Sequence, residues 1–155
     1  MRKTLAQIIN AEDYLIHADM FNTTKFPTQA TVINVGLGES NLLNIAAGIA
    51  SQGKTVYVYG VAGFIIHHLQ QLKLSCKYFG AKTGKIIICN AGKYGYEAMG
   101  IGHALDDDKQ IMEIYDIPFF EPNNIQEFKQ NLDIINNNQI GLYYIRLGKD
   151  YWKMY

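Results

Sequence analysis

The stretch TVINVGLGESNLLNIAAGIASQG, residues 31–53, contains the strand–turn–helix pattern on which the fold prediction depends. Its apolar run at residues 32–35 is typical of a short buried strand. The Gly-Leu-Gly sequence at 36–38 permits a tight turn, because glycine adopts backbone angles that other residues avoid. Apolar residues then recur at helical spacing from Ser40, a favoured helix starter, to Gly53, a natural helix end. The stretch therefore predicts a strand and a helix joined by a tight turn.

Glu39 lies at this junction between strand and helix. In an open parallel sheet, ligands bind at the carboxyl ends of the strands. A glutamate at the start of a helix is also stabilised by the helix dipole without any further role. The spacing alone leaves both interpretations open and favours the second, a solvated carboxylate at a helix start.

The composition is that of a globular domain large enough for a core. The chain has 155 residues, of which 48% are hydrophobic and 18% charged, a balance that disordered chains do not have. Its formal net charge is zero and it has no basic stripe, which argues against nucleic-acid binding. The Met1-Arg2-Lys3 start lacks the apolar run that is typical of a signal peptide, and no apolar run approaches the roughly 20 residues that a membrane span needs. We therefore expect a cytoplasmic protein that binds neither nucleic acid nor membrane.

The two cysteines, Cys76 and Cys89, do not have the spacing of a metal site. We expect Cys89 in a buried strand and Cys76 in a helix. A disulfide between them is not expected in a reducing compartment.

Strand and helix patterns alternate along the whole chain. Strands are predicted at residues 14–18, 32–35, 55–59, 85–89, 118–120 and 141–147. Helices are predicted at 3–10, 40–53, 64–78, 107–115 and 124–135. The 64–78 helix should present one apolar face made of Phe64, Ile65, Leu69, Leu72 and Cys76. This alternation predicts an α/β fold, with an open, mostly parallel sheet and helices on both faces.

Chemically useful side chains follow several of these strands. They are Asp19, Glu39, the segment 60–64 and His103, which lies in a glycine-rich loop. Because strand-to-helix loops meet at one edge of such a sheet, we expect these groups to lie near one another. A carboxylate, an aromatic ring and a histidine at one place are suited to an enzyme site.

Several segments, in order, resemble one known family. VINVGLGESNLLNIAAGIASQGK is similar to the family stretch RFINVGIAEQN and its AAG helix, and GVAGFIIHHLQQLKLSC resembles the aromatic loop and helix that follow. GKYGYEAMGIGHALDDDKQIM resembles a glycine-rich loop ending in GPTHHATEDIAIM. HADM, IPFFEPNNIQEF and GLYYIRLGK resemble TADL, a proline-containing corner and GPVYIRLGR. Together they resemble the pyrimidine-binding domain of the transketolase family, whose enzymes depend on thiamine diphosphate.

The resemblance implies a catalytic and cofactor-binding role for Glu39. In the family, the matching glutamate hydrogen-bonds N1′ of the aminopyrimidine ring, which lets the 4′-amino group remove the C2 proton of the thiazolium. A buried carboxyl suits this task, because burial favours its protonated form. Phe64, with Gly63 beside it, matches the aromatic region that lines the aminopyrimidine pocket, and Phe64 could equally be a core residue.

His103 matches the histidine of the family's GPTH sequence. The resemblance implies that it is catalytic and binds substrate, by handling the protons of the substrate. The loop departs from the family at Ile101 and Gly102, where relatives have proline and threonine, and at Ala104, where many have a second histidine. These departures bear on which substrate is accepted.

His67 and Asp19 are weaker candidates for substrate binding. His67 aligns near a position that is basic in some relatives, although a surface histidine needs no role. An aspartate at a strand end, such as Asp19, is common. Asp107 and Asp108 match the family's acidic pair and are predicted to cap a helix.

The resemblance also implies a partner. The family holds the diphosphate and Mg²⁺ through a GDG…N motif on a second domain, and GDG does not occur in this chain. We therefore predict that residues 1–155 form a single pyrimidine-binding domain, without metal ligands and without the diphosphate-binding and C-terminal domains. Thiamine diphosphate and Mg²⁺ would then bind against a diphosphate-binding subunit, in a homodimer or a heterotetramer.

The implied activity is the transfer of a two-carbon ketol unit between sugars or sugar phosphates, by a subunit that is active only with its partner. Two alternatives stay open. The chain could be a non-catalytic binding or regulatory module of the same fold. It could also be a subunit of a thiamine-diphosphate-dependent 2-oxoacid decarboxylase or dehydrogenase.

Overall fold

The computed structural model describes residues 1–91, 100, 103, 107–138 and 140–147. The strands within these residues are β1 Tyr14–His17, β2 Thr31–Asn34, β3 Thr55–Val61, β4 Lys85–Ala91, β5 Phe119–Phe120 and β6 Gly141–Leu147. They form one sheet in the order β2-β1-β3-β4-β6-β5, and every neighbouring pair is parallel. The predicted α/β fold with an open parallel sheet is confirmed.

The carboxyl ends of the strands lie along one edge of the sheet. His17, at the end of β1, pairs with Asn34 of β2 and with Tyr59 of β3. Further across, Val61 at the end of β3 pairs with Ala91 at the end of β4. The segments that follow these strands therefore begin at the same edge.

Helices cover both faces of the sheet, as predicted. They are α1 Arg2–Ile8, α2 Glu39–Ala50, α3 Ala62–Ile66, α4 Asp108–Ile114 and α5 Ile125–Asn136. Apolar side chains of α1 and α5 pack on the face that carries Tyr59 and Ile87, and those of α2 and α4 pack on the face that carries Val58 and Ile88. Successive strand residues thus point into opposite cores. Among the described residues, the helices are too short or too polar to cross a membrane.

The helix predicted over residues 64–78 is interrupted. Its first part is α3, and a π-helical segment, Gln71–Lys77, follows it. Between the two, the backbone N–H of His68 donates to the carbonyl oxygen of Ile65 at 3.0 Å. This bond spans three residues instead of four, so the chain turns more tightly there than an α-helix does.

The interruption changes where Phe64 packs. Ile65, Leu72 and Cys76 lie in the core under α2, and Leu69 packs against the same core. Phe64 packs against the core on the other face of the sheet. The prediction that it shares a face with these residues is wrong, because α3 is a short helix at the sheet edge whose sides contact different cores.

The strand β4 is buried along its whole length, as its apolar sequence predicts. Cys89 lies in this strand and Cys76 in the π-helical segment, and both are buried free thiols. Burial raises the pKa of the Cys76 thiol to about 12. This thiol therefore stays protonated at neutral pH and behaves as a small apolar side chain.

Candidate functional site

Glu39 is the first residue of α2, directly after the turn that leaves β2. In this turn Gly36 has a φ of +68°, a left-handed conformation that favours glycine. Gly38 occupies the N-cap position, so the helix starts one residue before Ser40. The Glu39 carboxylate consequently lies beside the positive end of the helix dipole. It is half-buried, and no described residue makes a hydrogen bond or an ion pair with it.

Glu39 lines an open cleft between the start of α2 and α3, here named the Glu39 cleft. The cleft has a volume of about 300 Å³ and is lined by Leu37, Glu39, Phe64, His67 and His68. Glu39, Phe64 and His67 were predicted from the sequence as site residues, and the fold brings them together. Leu37 is 86% exposed, so an apolar side chain faces solvent beside the carboxylate.

His103 joins this site through Phe64. The two rings lie 4.9 Å apart, centroid to centroid, at an interplanar angle of 67°, an edge-to-face geometry that aromatic rings prefer. The backbone N–H of His103 also donates to the carbonyl oxygen of Gly100 at 3.1 Å. A carboxylate, an aromatic ring and a histidine therefore lie in one neighbourhood, as the convergence of loops predicts.

Gly63 lies outside the lining of the Glu39 cleft. It is buried in the first turn of α3, beside Phe64. His67 is exposed at the carboxyl end of α3, and His68 next to it is half-buried. His68 lines the cleft as His67 does, although nothing in the sequence separates it from a surface histidine.

Asp19 lies at the same sheet edge but in a different cleft. This second cleft, of about 380 Å³, is lined by His17, Asp19, Met20, Phe21, Asn22, Thr23 and Asn34. Asp19 is exposed and has a φ of +56°, a conformation that aspartate tolerates better than most residues. The structure therefore does not place Asp19 in the lining that contains Glu39.

Asn34 lines the second cleft and also holds the turn that leads to Glu39. It was not identified as a site residue from the sequence. Its Oδ1 accepts hydrogen bonds from the backbone N–H groups of Asp19 and Gly36, each at 3.0 Å. Its Nδ2 donates to Oδ1 of Asp19 at 2.9 Å. One amide thus fixes the left-handed Asp19 and the left-handed turn that leads to Glu39. Only the tertiary pairing of β1 with β2 brings these groups together.

His17 was also missed as a site residue. Its Nδ1 accepts hydrogen bonds from the backbone N–H groups of Met20 and Phe21, each at 3.2 Å. This requires an unprotonated Nδ1, so the neutral ring carries its hydrogen on Nε2. Burial lowers the pKa of His17, against the opposing effect of the Asp19 carboxylate. His17 is therefore a neutral side chain that shapes the floor of the second cleft.

Asp108 meets its predicted role at the helix start only in part: its Oδ1 accepts from the backbone N–H of Lys109 at 3.1 Å, and its other contacts lie in the core. It is fully buried, and its carboxylate forms an ion pair with Arg146 of β6. Nε of Arg146 donates to Oδ2 of Asp108 at 3.2 Å, and the Tyr144 hydroxyl donates to the same oxygen at 2.8 Å. Asp107 holds the N-cap position of α4, but its side chain accepts no capping hydrogen bond. Asp108 faces inward because Arg146, distant in sequence, neutralises it there.

The chain is similar in sequence to a known protein. Over 160 residues the chain is 28% identical to one of the subunits of the apulose-4-phosphate transketolase of Actinobacillus succinogenes, an alignment that covers 97% of this chain and 50% of the relative. The chain resembles the transketolase family. No family model matches the sequence. The transketolase-like chain spans about half the length of this relative.

Solved structures share the fold. A protein described as "Split gene transketolase, inactive beta4 tetramer" superposes with a TM-score of 0.71 at 22% identity, over 90% of this chain and 46% of that one. A putative thiamin diphosphate-dependent enzyme from Mycobacterium smegmatis gives a TM-score of 0.66 at 16% identity, over 91% and 28%. A thiamine diphosphate-dependent 4-hydroxybenzoylformate decarboxylase from Rhodococcus jostii RHA1 gives 0.61 at 13%, over the same shares. The transketolase-like fold predicted from the sequence is thereby confirmed.

Proposed function

We propose that this chain is the pyrimidine-binding subunit of a split transketolase-like enzyme, in which Glu39 binds the aminopyrimidine ring of thiamine diphosphate. The observation that carries the proposal is the Glu39 carboxylate itself. It has no partner among the described residues, and it shares an open cleft with the ring of Phe64. Its oxygens are therefore available to a ligand that enters the cleft.

The Glu39 cleft suits a planar heterocycle that carries polar edges. Leu37 and Phe64 offer apolar surface to the faces of such a ring, and Glu39 offers an acceptor to a ring nitrogen that carries or shares a proton. The volume of about 300 Å³ is at the lower end of ligand pockets. A fragment of a cofactor, and not the whole molecule, is the ligand that fits these walls.

The diphosphate and its cation need other residues. The lining of the Glu39 cleft contains neither lysine nor arginine, the side chains that neutralise phosphate groups. Among the described residues there is also no group of three or more His, Cys, Asp or Glu side chains that could hold a metal ion. This supports a second subunit that holds the diphosphate and Mg²⁺, with the cofactor bound between the two chains.

Two features support a partner surface beside the cleft. Leu37 is 86% exposed, and burying such a side chain in an interface is favourable by about 1.5–3 kcal/mol. Glu39 is only half-buried, whereas a carboxyl that must hold a proton benefits from full burial. A partner seated over Leu37 would complete the burial of Glu39. The relative described as an inactive beta4 tetramer is in line with an enzyme type that needs a second kind of subunit.

The chemistry divides between cofactor and protein. Thiamine diphosphate supplies, when bound, the carbon nucleophile that accepts a two-carbon ketol unit. With the cofactor bound, Glu39 would hold or share the proton at N1′ of the pyrimidine ring, and Phe64 would pack against that ring. His103, held against Phe64, is placed to exchange a proton with a substrate hydroxyl. The substrates we propose are sugars or sugar phosphates, as in the apulose-4-phosphate transketolase relative.

A second function is favoured by one comparison. The Rhodococcus jostii structure is described as a decarboxylase. It has the same fold as this chain. A subunit of a thiamine-diphosphate-dependent 2-oxoacid decarboxylase would use Glu39 in the same way and would differ in substrate. Activity on 2-oxo acids in place of ketose phosphates would assign this second function.

Reconstitution tests the proposal. The chain is mixed with a copurifying subunit that carries a GDG…N motif, and binding of thiamine diphosphate with Mg²⁺ is measured by calorimetry. We expect tight binding only in the mixture, with weaker binding for Glu39→Gln and unchanged binding for Glu12→Gln, an exposed carboxylate distant from the cleft. Equal binding by the mixture and by the partner alone would contradict the proposal and favour a non-catalytic module.

A further inference from the structure

We propose that Tyr144 is a positioning residue for His103, an inference that rests on the proposed function. Its hydroxyl joins the two ends of the chain segment that carries His103. That segment leaves β4 after Ala91 and enters α4 at Asp108. The group formed by Asn90, Tyr144, Asp108 and Arg146 is here named the Tyr144 clasp.

The clasp is a continuous line of hydrogen bonds. Nδ2 of Asn90, near the end of β4, donates to the Tyr144 hydroxyl at 3.1 Å. The hydroxyl donates in turn to Oδ2 of Asp108, the first residue of α4, at 2.8 Å. The side chains of all three residues are fully buried. Tyr144 therefore fixes the distance between the two places where the His103 segment begins and ends.

The ion pair between Arg146 and Asp108 determines which groups donate and which accept in this line of hydrogen bonds. Arg146 forms an ion pair with Asp108, and its Nη1 also donates to Oε1 of Glu121 at 3.0 Å. Asp108, paired with Arg146, accepts the hydrogen bond that the Tyr144 hydroxyl donates. Burial, followed by the nearby charge of Asp108, raises the pKa of Tyr144 well above its usual value. The hydroxyl consequently remains a donor throughout the physiological pH range.

The clasp also touches the helix that carries Phe64. A Cβ placed on Gly60, two residues before α3, would lie 3.3 Å from Oδ1 of Asn90, so the Asn90 amide lies against the backbone that leads into this helix. Helices α3 and α4 lie against each other. The Tyr144 clasp therefore contacts the end of β3, the end of β4 and the start of α4. The Phe64–His103 contact lies where these elements meet.

Asn90 makes the clasp sensitive to a single atom. Its Oδ1 is buried and has no partner among the described residues, so its only described side-chain bond is the one to Tyr144. Removing the Tyr144 hydroxyl would leave the whole amide unpaired, which buried amides avoid. The Tyr144 ring would stay in place, because it stacks on Phe119 at 5.5 Å with an interplanar angle of 14°. Tyr144→Phe therefore removes the coupling and keeps the packing.

The neighbouring tyrosine provides a matched control. The Tyr143 hydroxyl donates to the carbonyl oxygen of Ile140 at 3.1 Å, at the other end of the sheet, and its side chain lies on the opposite face. Tyr143→Phe removes one tyrosine hydroxyl from the same strand without touching the clasp. Differences between the two variants thus report on the clasp and not on the loss of a hydroxyl from β6.

The test has a spectroscopic arm and a kinetic arm. In the isolated chain, imidazole NMR resonances of His103 should shift in Tyr144→Phe and stay unchanged in Tyr143→Phe. In the reconstituted enzyme, Tyr144→Phe should lower kcat on the order of tenfold with little change in the affinity for thiamine diphosphate. The NMR shifts and the kinetics are measured at a temperature at which circular dichroism shows each variant to be folded. A merely structural defect would lower the unfolding temperature without lowering kcat at unchanged cofactor affinity.

Two outcomes would overturn the inference. His103 resonances that stay unchanged in Tyr144→Phe contradict it, whether or not the enzyme is active. An equal loss of kcat in both tyrosine variants contradicts it as well. If Tyr144→Phe does not fold, Asn90→Leu cuts the same line from the other side and must shift His103. Failure of the wild-type chain to support ketol transfer with any partner would instead overturn the proposed function, and the NMR arm would still decide on the clasp.

Discussion

The rings of Phe64 and His103 meet edge to face, with their centroids 4.9 Å apart. Phe64 belongs to the helix after β3, and His103 to the segment after β4. Their contact joins two loops at the carboxyl edge of the sheet, beside the carboxylate of Glu39. Among the described residues, this contact is what links His103 to the Glu39 cleft.

Replacing Phe64 with leucine should break this link and keep apolar bulk in its place. The His103 imidazole resonances should then move, since they lose the ring current of Phe64, and stability should fall by about 0.5–1.5 kcal/mol beyond the effect of lost area. NMR spectra of the Phe64→Leu variant measure the shift, and chemical denaturation measures the stability. Leu74→Ala, a substitution of an exposed side chain, is the control. His103 resonances identical to those of the wild type would show that the contact does not exist in solution.

Asn34 should stabilise the turn before Glu39. Asn34→Ala removes the hydrogen bonds to Asp19 and Gly36, and because the site is exposed we expect a loss of about 1 kcal/mol in the free energy of unfolding. Urea denaturation measures this. Asn41→Ala, in the exposed first turn of α2, is the control and should not destabilise, because alanine is the better helix former. An equal effect of the two substitutions on the free energy of unfolding would contradict a structural role of Asn34 in this turn.

Two glycines should respond in opposite ways to the same added methyl group. A Cβ on Gly84 would overlap the carbonyl oxygen of Ala50 and lie 2.6 Å from that of Lys54, so Gly84→Ala should destabilise by about 1–3 kcal/mol. A Cβ on Gly48, exposed in α2, meets nothing within 4 Å. Gly48→Ala should stabilise by about 0.5–1 kcal/mol. Chemical denaturation of both variants checks the pair, and a tolerated Gly84→Ala would contradict the close approach of β4 to α2.

His17 should make stability depend on pH below neutrality. Burial lowers its pKa in the folded chain below the usual 6.5, so the unfolded chain binds the proton more readily. The free energy of unfolding should therefore be unaffected by His17 above about pH 6.5 and decrease as the pH falls below this value. His17→Asn keeps an acceptor for the two N–H groups and should flatten the profile. Equal slopes for wild type and His17→Asn would contradict this linkage.

Features set by local chemistry could be predicted from the sequence. The bounds of β6 are those predicted, Gly141–Leu147, because an apolar run follows a glycine. The helix after Asn124 starts as predicted because the Asn124 side chain caps it, accepting from the N–H of Glu127 at 2.9 Å. The parallel direction of the strands follows from their alternation with helices, and it places Glu39 and Phe64 at the same edge of the sheet.

Features that depend on distant partners could not be predicted. Asp108 is buried because Arg146 meets it from another strand, and sequence spacing carries no signal of that pairing. Asn34 acts on Asp19 only through the pairing of β1 with β2. Phe64 was assigned to the wrong face because helical periodicity assumes an uninterrupted helix. The resemblance to a family, and not the spacing, singled out Glu39.

We propose that Glu39 activates the pyrimidine ring of thiamine diphosphate. The most direct test is the exchange of the cofactor's C2 proton with solvent deuterium, followed by NMR in the complex of this chain with its diphosphate-binding partner. We expect fast exchange in the wild type and in Glu12→Gln, and exchange on the order of 10²–10⁴-fold slower in Glu39→Gln with the cofactor still bound. Exchange at the wild-type rate in a cofactor-loaded Glu39→Gln complex would contradict a role of Glu39 in activating the ring.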